Sequence, residues 1–354
     1  MSDHNNNTFR ENQRLSSRLL TKKVTLYDVA SLAGVSYQTV SRVINNSPNV
    51  ALTTRERVLQ AISELEFRPN QAARSLNTRQ SHVLQIITYN ITHLHTVEAM
   101  LYTARQLGYR MALSTIWDHT SDNEIREQLD GLSSWLIDGL LIIMPNFSFK
   151  YQEQIELCRG IPGVLIGTDL ETDAPAVAID QRYGTNLALQ HLLDLGHTQI
   201  AEITGDRNFS DGKARHEAYI KFVEAHGLEK DLFVEGNWRG ESGYNGVKQL
   251  LDKGKHFTAL FCGNDEVAIG ALLALEECGL RVPTDVSVVG FDDIRISPYV
   301  NPPLTTIRQN FPDMGKKAVE YLVEMIKDSN TPIRQHILFP ELIVRKSTGP
   351  VKEV

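Results

Sequence analysis

Residues 25–78 read TLYDVASLAGVSYQTVSRVINNSPNVALTTRERVLQAISELEFRPNQAARSLNT. Apolar side chains fall at Leu26, Val29, Ala30 and Ala33, then beyond a turn at Val40, Val43 and Ile44. That spacing predicts two short helices, each with one buried face. Ala33-Gly34-Val35-Ser36 joins them. Gly34 supplies the positive φ that a tight inter-helix turn demands, and Ser36 can cap the second helix. Short helix, glycine turn, short helix is the helix-turn-helix plan, whose second helix can enter the major groove of DNA.

With Val40, Val43 and Ile44 turned inward, Tyr37, Gln38 and Arg42 must point outward. Gln suits bidentate contact to adenine, Arg suits guanine, and Ser or Thr suits phosphate. A solvated helix face would look the same on its own, but a third helix follows. Thr53-x-x-Glu56 has the capping-box pattern, and Val58, Ile62 and Leu65 continue it as one stripe.

The 354 residues allow two or three domains, and a composition of 42% hydrophobic and 22% charged residues is that of a globular chain. The net charge of −7 conceals an asymmetry. Residues 1–80 hold 11 Lys and Arg against 6 Asp and Glu, whereas the remainder holds 25 against 37. A basic head on an acidic body fits a nucleic-acid-binding module joined to a domain with another task. Residues 1–23 are Asn-rich with scattered Arg and Lys and read as a disordered arm, not a secretory leader. No apolar run approaches the ~18 residues of a membrane span, so no membrane partner is expected. Cys158, Cys262 and Cys278 lack metal spacing and read as buried thiols of a reducing cytoplasm.

From Val83 the pattern changes to short apolar runs alternating with amphipathic helices. VLQIIT (83–88), YRMALST (109–115), GLLIIM (139–144) and GVLIG (163–167) read as strands buried on both faces, with helices around 97–107 and 123–136. After AVAID (176–180) the alternation resumes through strands QIAEIT (199–204), LFVEG (232–236), ALFCG (259–263) and VSVVGF (286–291). Two doubly wound α/β units in series bring strand carboxyl ends toward a shared crevice, where such sheets bind ligands.

YDVASLAGVSYQTVSRVINN followed by TRERVLQAISELEFRPNQAARSL resembles the headpiece and hinge of the LacI/GalR family of bacterial repressors. HLLDLGHTQIAEITG, FCGNDEVAIGAL, VPTDVSVVGFDD and PPLTTIRQN extend the likeness over about residues 24–348. The resemblance implies an all-α helix-turn-helix headpiece plus a two-lobed α/β effector domain like the periplasmic sugar-binding proteins. It implies a disordered arm at 1–23, a headpiece at 24–70, a hinge helix and linker at 71–80, and an effector domain at 81–348. Lobe 1 would hold about 81–180 and 309–338, and lobe 2 about 181–308 and 339–348. Tyr37, Gln38 and Arg42 would read bases, with Ser36, Thr39, Ser41 and Asn45 near the backbone and Asn70 ending the third helix. In the family two hinge helices order on operator, each pushing a leucine into the minor groove, and Leu76 occupies that place.

The resemblance also places Arg215, Trp238, Asn264, Asp292 and Gln309 around the effector crevice, with Tyr89 and Asn90 less firmly on the first lobe. Arg, Asp and Asn side chains can each bind neighbouring hydroxyls, and an indole can stack on a sugar's C–H face. The loop 89–96, with His93 and His95, departs from the family member whose Tyr37-Gln38 pair this chain shares, which puts lactose-type effectors in doubt. Thr168 or Asp169 is a further first-lobe candidate. No G-x-S-x-G, H-E-x-x-H or G-x-x-x-x-G-K-[ST] is present. The expectation is a repressor and not an enzyme, without metal or cofactor. It would act as a homodimer on a double-stranded, pseudo-palindromic operator, and a small molecule, a sugar before a purine or phosphorylated metabolite, would control it. The ending ELIVRKSTGPVKEV lacks the leucine heptads that build tetramers in the family.

Overall fold

The computed structural model describes residues 24–45, 47–67, 80–89, 94–116, 127, 137–143, 160–167 and 173–352. The arm at 1–23, Asn70, the hinge positions 71–79 with Leu76, Asn90, His93, the helix expected at 123–136, Cys158, Thr168 and Asp169 lie outside them. The chain forms two units, residues 1–81 and 82–354.

The first unit contains α1 (Leu26–Ala33), α2 (Tyr37–Ile44) and α3 (Leu52–Glu64). Val29, Val40, Val43, Val58, Ala61 and Phe67 close a small core among them. Thr25 and Asp28 form a reciprocal capping box on α1, and Gly34 ends that helix at φ 64°. The box expected at Thr53 and Glu56 does not form. α3 starts two residues earlier, with Ala51 as its cap residue and no side-chain cap bond. Leu52 and Thr53 therefore enter the first turn as exposed residues, which leaves Thr53 past the only position where its hydroxyl could cap.

In the second unit two six-stranded sheets stand in series. The first runs in the order β11-β5-β4-β3-β1-β2, from β1 (Val83–Tyr89), β2 (Arg110–Ile116), β3 (Gly139–Ile143), β4 (Gly163–Ile166), β5 (Ala176–Ile179) and, far downstream, β11 (Gln335–Leu338). All its pairings are parallel. Helices α4 (Leu94–Gln106) and α9 (Phe311–Lys327) cover it, with Met100, Leu141, Val164 and Leu322 in the core. β2 lies at the sheet edge and Leu113 is exposed. The expectation that this strand is buried on both faces is thereby corrected: at the rim of the sheet the side chains of β2 are only partly covered.

The second sheet runs β12-β10-β9-β8-β6-β7, from β6 (Ile200–Ile203), β7 (Phe233–Val234), β8 (Ala259–Cys262), β9 (Ser287–Asp292), β10 (Thr305–Arg308) and β12 (Glu341–Ile343). It is parallel except for β12, which pairs antiparallel with β10. Helices α5 (Gln181–Asp194) and α6 (Ser210–Ala225) cover one face; α7 (Gly240–Asp252) and α8 (Asp265–Glu277) cover the other. β8 shows why both helix layers are needed: Ala259 and Phe261 join the α5–α6 core, while Leu260 and Cys262 join the α7–α8 core. Cys262 is buried as expected, but Cys278, just past the end of α8, is exposed.

The segment after β12 is stitched back onto the second sheet by His197, which is buried. Its Nδ1 lies 2.9 Å from the Thr258 hydroxyl, and its Nε2 lies 3.0 Å from Ser287 Oγ and from Gly349 O. Burial holds its pKa below the ordinary imidazole value, with nearby His191 adding to the shift. A depressed histidine pKa gives stability that is complete above about 6.5 and is lost as pH falls. His197→Gln is therefore expected to cost about 1–3 kcal/mol near pH 7.5. The gap between wild-type and variant melting temperatures should narrow by pH 5. Parallel melts across that range check it, and a constant gap would show that His197 does not titrate with unfolding.

Candidate functional site

The exposed face of α2 is polar at every position its core residues leave free. Ser36 caps the helix by accepting from Thr39 N, and its hydroxyl lies 2.9 Å from the Thr39 hydroxyl. Tyr37, Gln38, Arg42 and Asn45 are exposed, while Thr39 and Ser41 are half-buried. Sequence reading missed Tyr27, which is 69% exposed and stacks on Tyr37 with ring centroids 5.1 Å apart. The signal was available: an aromatic in the first turn of α1, off the Val29–Ala33 stripe, can only face outward.

In the second unit, Arg215, Asp292 and Gln309 come together. β9 ends at Asp292, held at φ 110°, with Asp293 at φ 55° beside it. Such backbone is uncommon for side chains with a Cβ and clusters at functional positions. Asp292 accepts from Gln309 Nε2 at 2.6 Å, and Gln309 Oε1 accepts from Gln181 Nε2 at 2.8 Å. Gln181 Oε1 in turn accepts from Arg215 Nε at 2.9 Å. The buried guanidinium also donates to Gly263 O, stands 3.6 Å from Asp292, and has its Cζ over the Phe291 ring, 3.8 Å from the centroid. A buried cation with so many partners is fixed in place, which preorganises Asp292 beside it. Gln181 was missed; its place as the first residue of α5, after AVAID, is the only hint of it in sequence.

A narrow cleft of about 20 Å³ opens beside this network. Ile143, Ile166 and Ile179 line it from the carboxyl ends of the first sheet, Phe311 and Met314 from α9, and Asp211, Gln181 and Gln309 from the other side. One wall is apolar and the other polar, the layout of a small-molecule site. Ser210 Oγ donates to Gly167 O at 3.3 Å across this region.

Trp238 is half-buried, with Arg215 5.4 Å from its ring centroid and Phe209 edge-on at 6.0 Å. Gly205 lies against the indole so closely that any Cβ there would overlap it. Asn264 does not present its amide to the cleft. Its Oδ1 caps α8 at Val267 N and its Nδ2 donates to Trp238 O at 3.0 Å, so it holds the indole's loop. Tyr89 ends β1. His95 pairs with Glu98 at 3.2 Å and is not among the cleft residues. Among the described residues there is no group of metal-ligating side chains, and no helix is long and apolar enough to cross a membrane.

Residues 25–70 match the family model "Bacterial regulatory proteins, lacI family", and residues 189–348 match a periplasmic binding protein-like domain. The lactose operon repressor of Escherichia coli is 34% identical over 334 residues, covering 92% of this chain and 91% of that protein. The HTH-type transcriptional repressor PurR of Haemophilus influenzae is 38% identical over 342 residues, covering 92% and 99%. The crystal structure of the lac repressor dimer bound to operator and the anti-inducer ONPF superposes with a TM-score of 0.86 at 33% identity, over 93% of this chain and 100% of that one. These relatives are repressors and not enzymes. A helix-turn-helix headpiece with an outward polar face and a two-lobed α/β body similar to periplasmic binding proteins thus occur in one chain, which belongs to the lacI family of DNA-binding transcriptional repressors.

Proposed function

We propose that two copies of this chain bind a pseudo-palindromic operator through paired headpieces and that a small sugar in the cleft releases them, controlling carbohydrate-utilisation genes in the cytoplasm. The observation that carries the ligand is a polar wall of Gln181 and Gln309, tied to Arg215 and Asp292, facing an apolar wall. Hydroxyls suit the first and sugar C–H faces the second. Dimer symmetry would mirror operator symmetry. The ligand shifts the equilibrium only by its differential affinity for the DNA-bound and free states. A purine or nucleoside is a second reading, because Phe311 on the apolar wall offers a stacking face.

The test is a fluorescence titration of labelled operator with and without panels of saccharides and nucleosides. A sugar that weakens operator binding in wild type is expected to have no effect on Asp292→Ala; a retained response would move the site elsewhere. On the DNA side, Gln38→Ala should weaken binding to the cognate site by about 1–3 kcal/mol and leave random-sequence binding nearly unchanged. Equal losses on both would make Gln38 a contact that carries no sequence information.

A further inference from the structure

β6 carries an acid where its pattern calls for an apolar side chain. Ala201 and Ile203 join the α7–α8 core, and Ile200 joins the α5–α6 core. Glu202, on the same side as Ile200, is buried, with Phe233 of β7 and Phe261 of β8 beside it in register. Its Oε2 lies 2.6 Å from His216 Nδ1 of α6, and its Oε1 has no hydrogen-bond partner among the described residues. The His216 ring packs against Phe233 at 4.8 Å and stacks on Tyr219 at 6.4 Å. It also lines an open groove of about 600 Å³, through which protons can exchange with solvent. Arg215, one residue back along α6, is the guanidinium held by Gln181, Gly263 O and Asp292. One helix thus bears the Arg215 network on one side and the Glu202–His216 pair on another.

We propose that the Glu202–His216 pair is a pH-sensitive anchor of α6, which holds the helix on the sheet while protonated and loosens it, with the Arg215 corner, as pH rises. Whether imidazolium with carboxylate or imidazole with carboxyl, the pair is neutral as long as it keeps its titratable proton. Loss of that proton leaves a buried negative charge without a counter-charge, which is costly in the interior. Burial pushes the Glu202 carboxyl up, with His216 and then Arg207 drawing it down. A carboxyl displaced upward binds its proton more tightly folded than unfolded. Its contribution is therefore complete below the ordinary carboxylate range and is lost as pH rises through the folded value. The other groups facing the pair do not replace the proton. At the groove Arg207 pairs with Glu235, Lys213 and Arg182 pair with Glu217, and Asp206 adds negative charge. On the inner side the Cys262 thiol and the Tyr219 hydroxyl are both pushed up, by burial first, and supply no cation. Glu229 and Asp231 beyond Tyr219 only add negative charge.

Denaturant melts of the full-length protein at pH 5, 7 and 9 test this beside two variants. Glu202→Gln keeps an acceptor for His216 without the charge, and Glu202→Leu/His216→Leu removes the pair. Asp265 and His197 are untouched in all three proteins, so the differences between them isolate the pair. Wild type is expected to lose stability from pH 5 to pH 9 relative to both variants. Hydrogen exchange across residues 210–225, corrected for the intrinsic rate, should accelerate about tenfold more in wild type than in Glu202→Gln over that span. Trp238 emission, which reports on Arg215 at 5.4 Å from its ring, should shift in wild type alone. Parallel melts in all three proteins would overturn the proposal, because the pair would then keep one charge state throughout. Diverging melts with parallel exchange in α6, or with parallel Trp238 emission, would overturn it too, since the proton would then move without loosening the helix. Should the glutamine variant fail to fold, the double leucine variant supplies every comparison.

Discussion

Asp265→Ala is expected to destabilise the second lobe by about 3–5 kcal/mol. Its carboxylate is fully buried at the first residue of α8. There it accepts from Ile294 N at 2.9 Å and from the hydroxyls of Ser297 and Thr306. It therefore ties α8 to the turn after β9 and to β10 at once. Alanine would strand three donors, two of them buried at about 1–3 kcal/mol each, partly relieved where a hydroxyl rotates. Asparagine should cost far less, since its oxygen keeps two donors and the Thr306 hydroxyl can turn to accept from the amide. The two variants also separate charge from geometry. A carboxyl raised to about 7 binds its proton more tightly folded than unfolded. Its contribution is therefore complete below the ordinary carboxylate range and is lost as pH rises toward 7. Against wild type, Asp265→Asn should look best at pH 8 and relatively worse at pH 5. Denaturant melts at both pH values measure this, and equal differences would show that the carboxylate is ionised throughout.

Gly270→Leu should be comparably damaging, by roughly 3 kcal/mol or more, above the usual cost of overpacking. At the crossing of α7 and α8, a Cβ on Gly270 would overlap Gly240 O, and one on Gly243 would overlap Val267 O. The obstacle is backbone on both sides, so no rotamer change relieves it and the helices must separate. That separation would open the core of Val247, Leu250, Leu272 and Leu275. Gly279, with φ +76° and open space around it, is the control: Gly279→Ala meets no neighbour and carries only its backbone strain. Chemical denaturation of both variants checks the ordering. A Gly270→Leu protein as stable as Gly279→Ala would mean the helix pair yields without loss.

How much of this was legible from residues alone depended on whether a side chain's role is set by local spacing or by distant neighbours. The headpiece helices follow from Val29, Val40 and Val43 at helical intervals, and Gly34 announces its own left-handed turn. Thr53 misled because a capping pattern specifies residue types but not where the first turn begins. In the body, alternating apolar runs revealed the strands but not that β2 sits at an edge, since order across a parallel sheet is not encoded in neighbouring residues. Arg215, Asp292 and Gln309 do converge. Gln181 escaped notice because its meaning comes from a partner at position 309. Asn264, placed at the crevice by the resemblance, uses its oxygen to cap α8, a role that no local pattern announced. The pairing of buried Glu202 in β6 with His216 at 2.6 Å was invisible for the same reason.

The late return of the chain to its first sheet sets a timetable for the nascent protein. β5 is complete at Ile179, but α9, which covers the sheet, and β11, which pairs with β5 from Gln335 to Leu338, leave the ribosome only after the whole second sheet up to β10 has been made. At 5–20 residues per second that interval is about ten to thirty seconds. Throughout it the first sheet presents an unpaired edge and the apolar surface of Leu141, Val164 and Leu322's eventual site. An uncovered parallel edge is the kind of surface on which growing chains stick to one another. Yield in the cell should therefore depend more on what shelters this half-made sheet during translation than on the equilibrium stability of the finished fold.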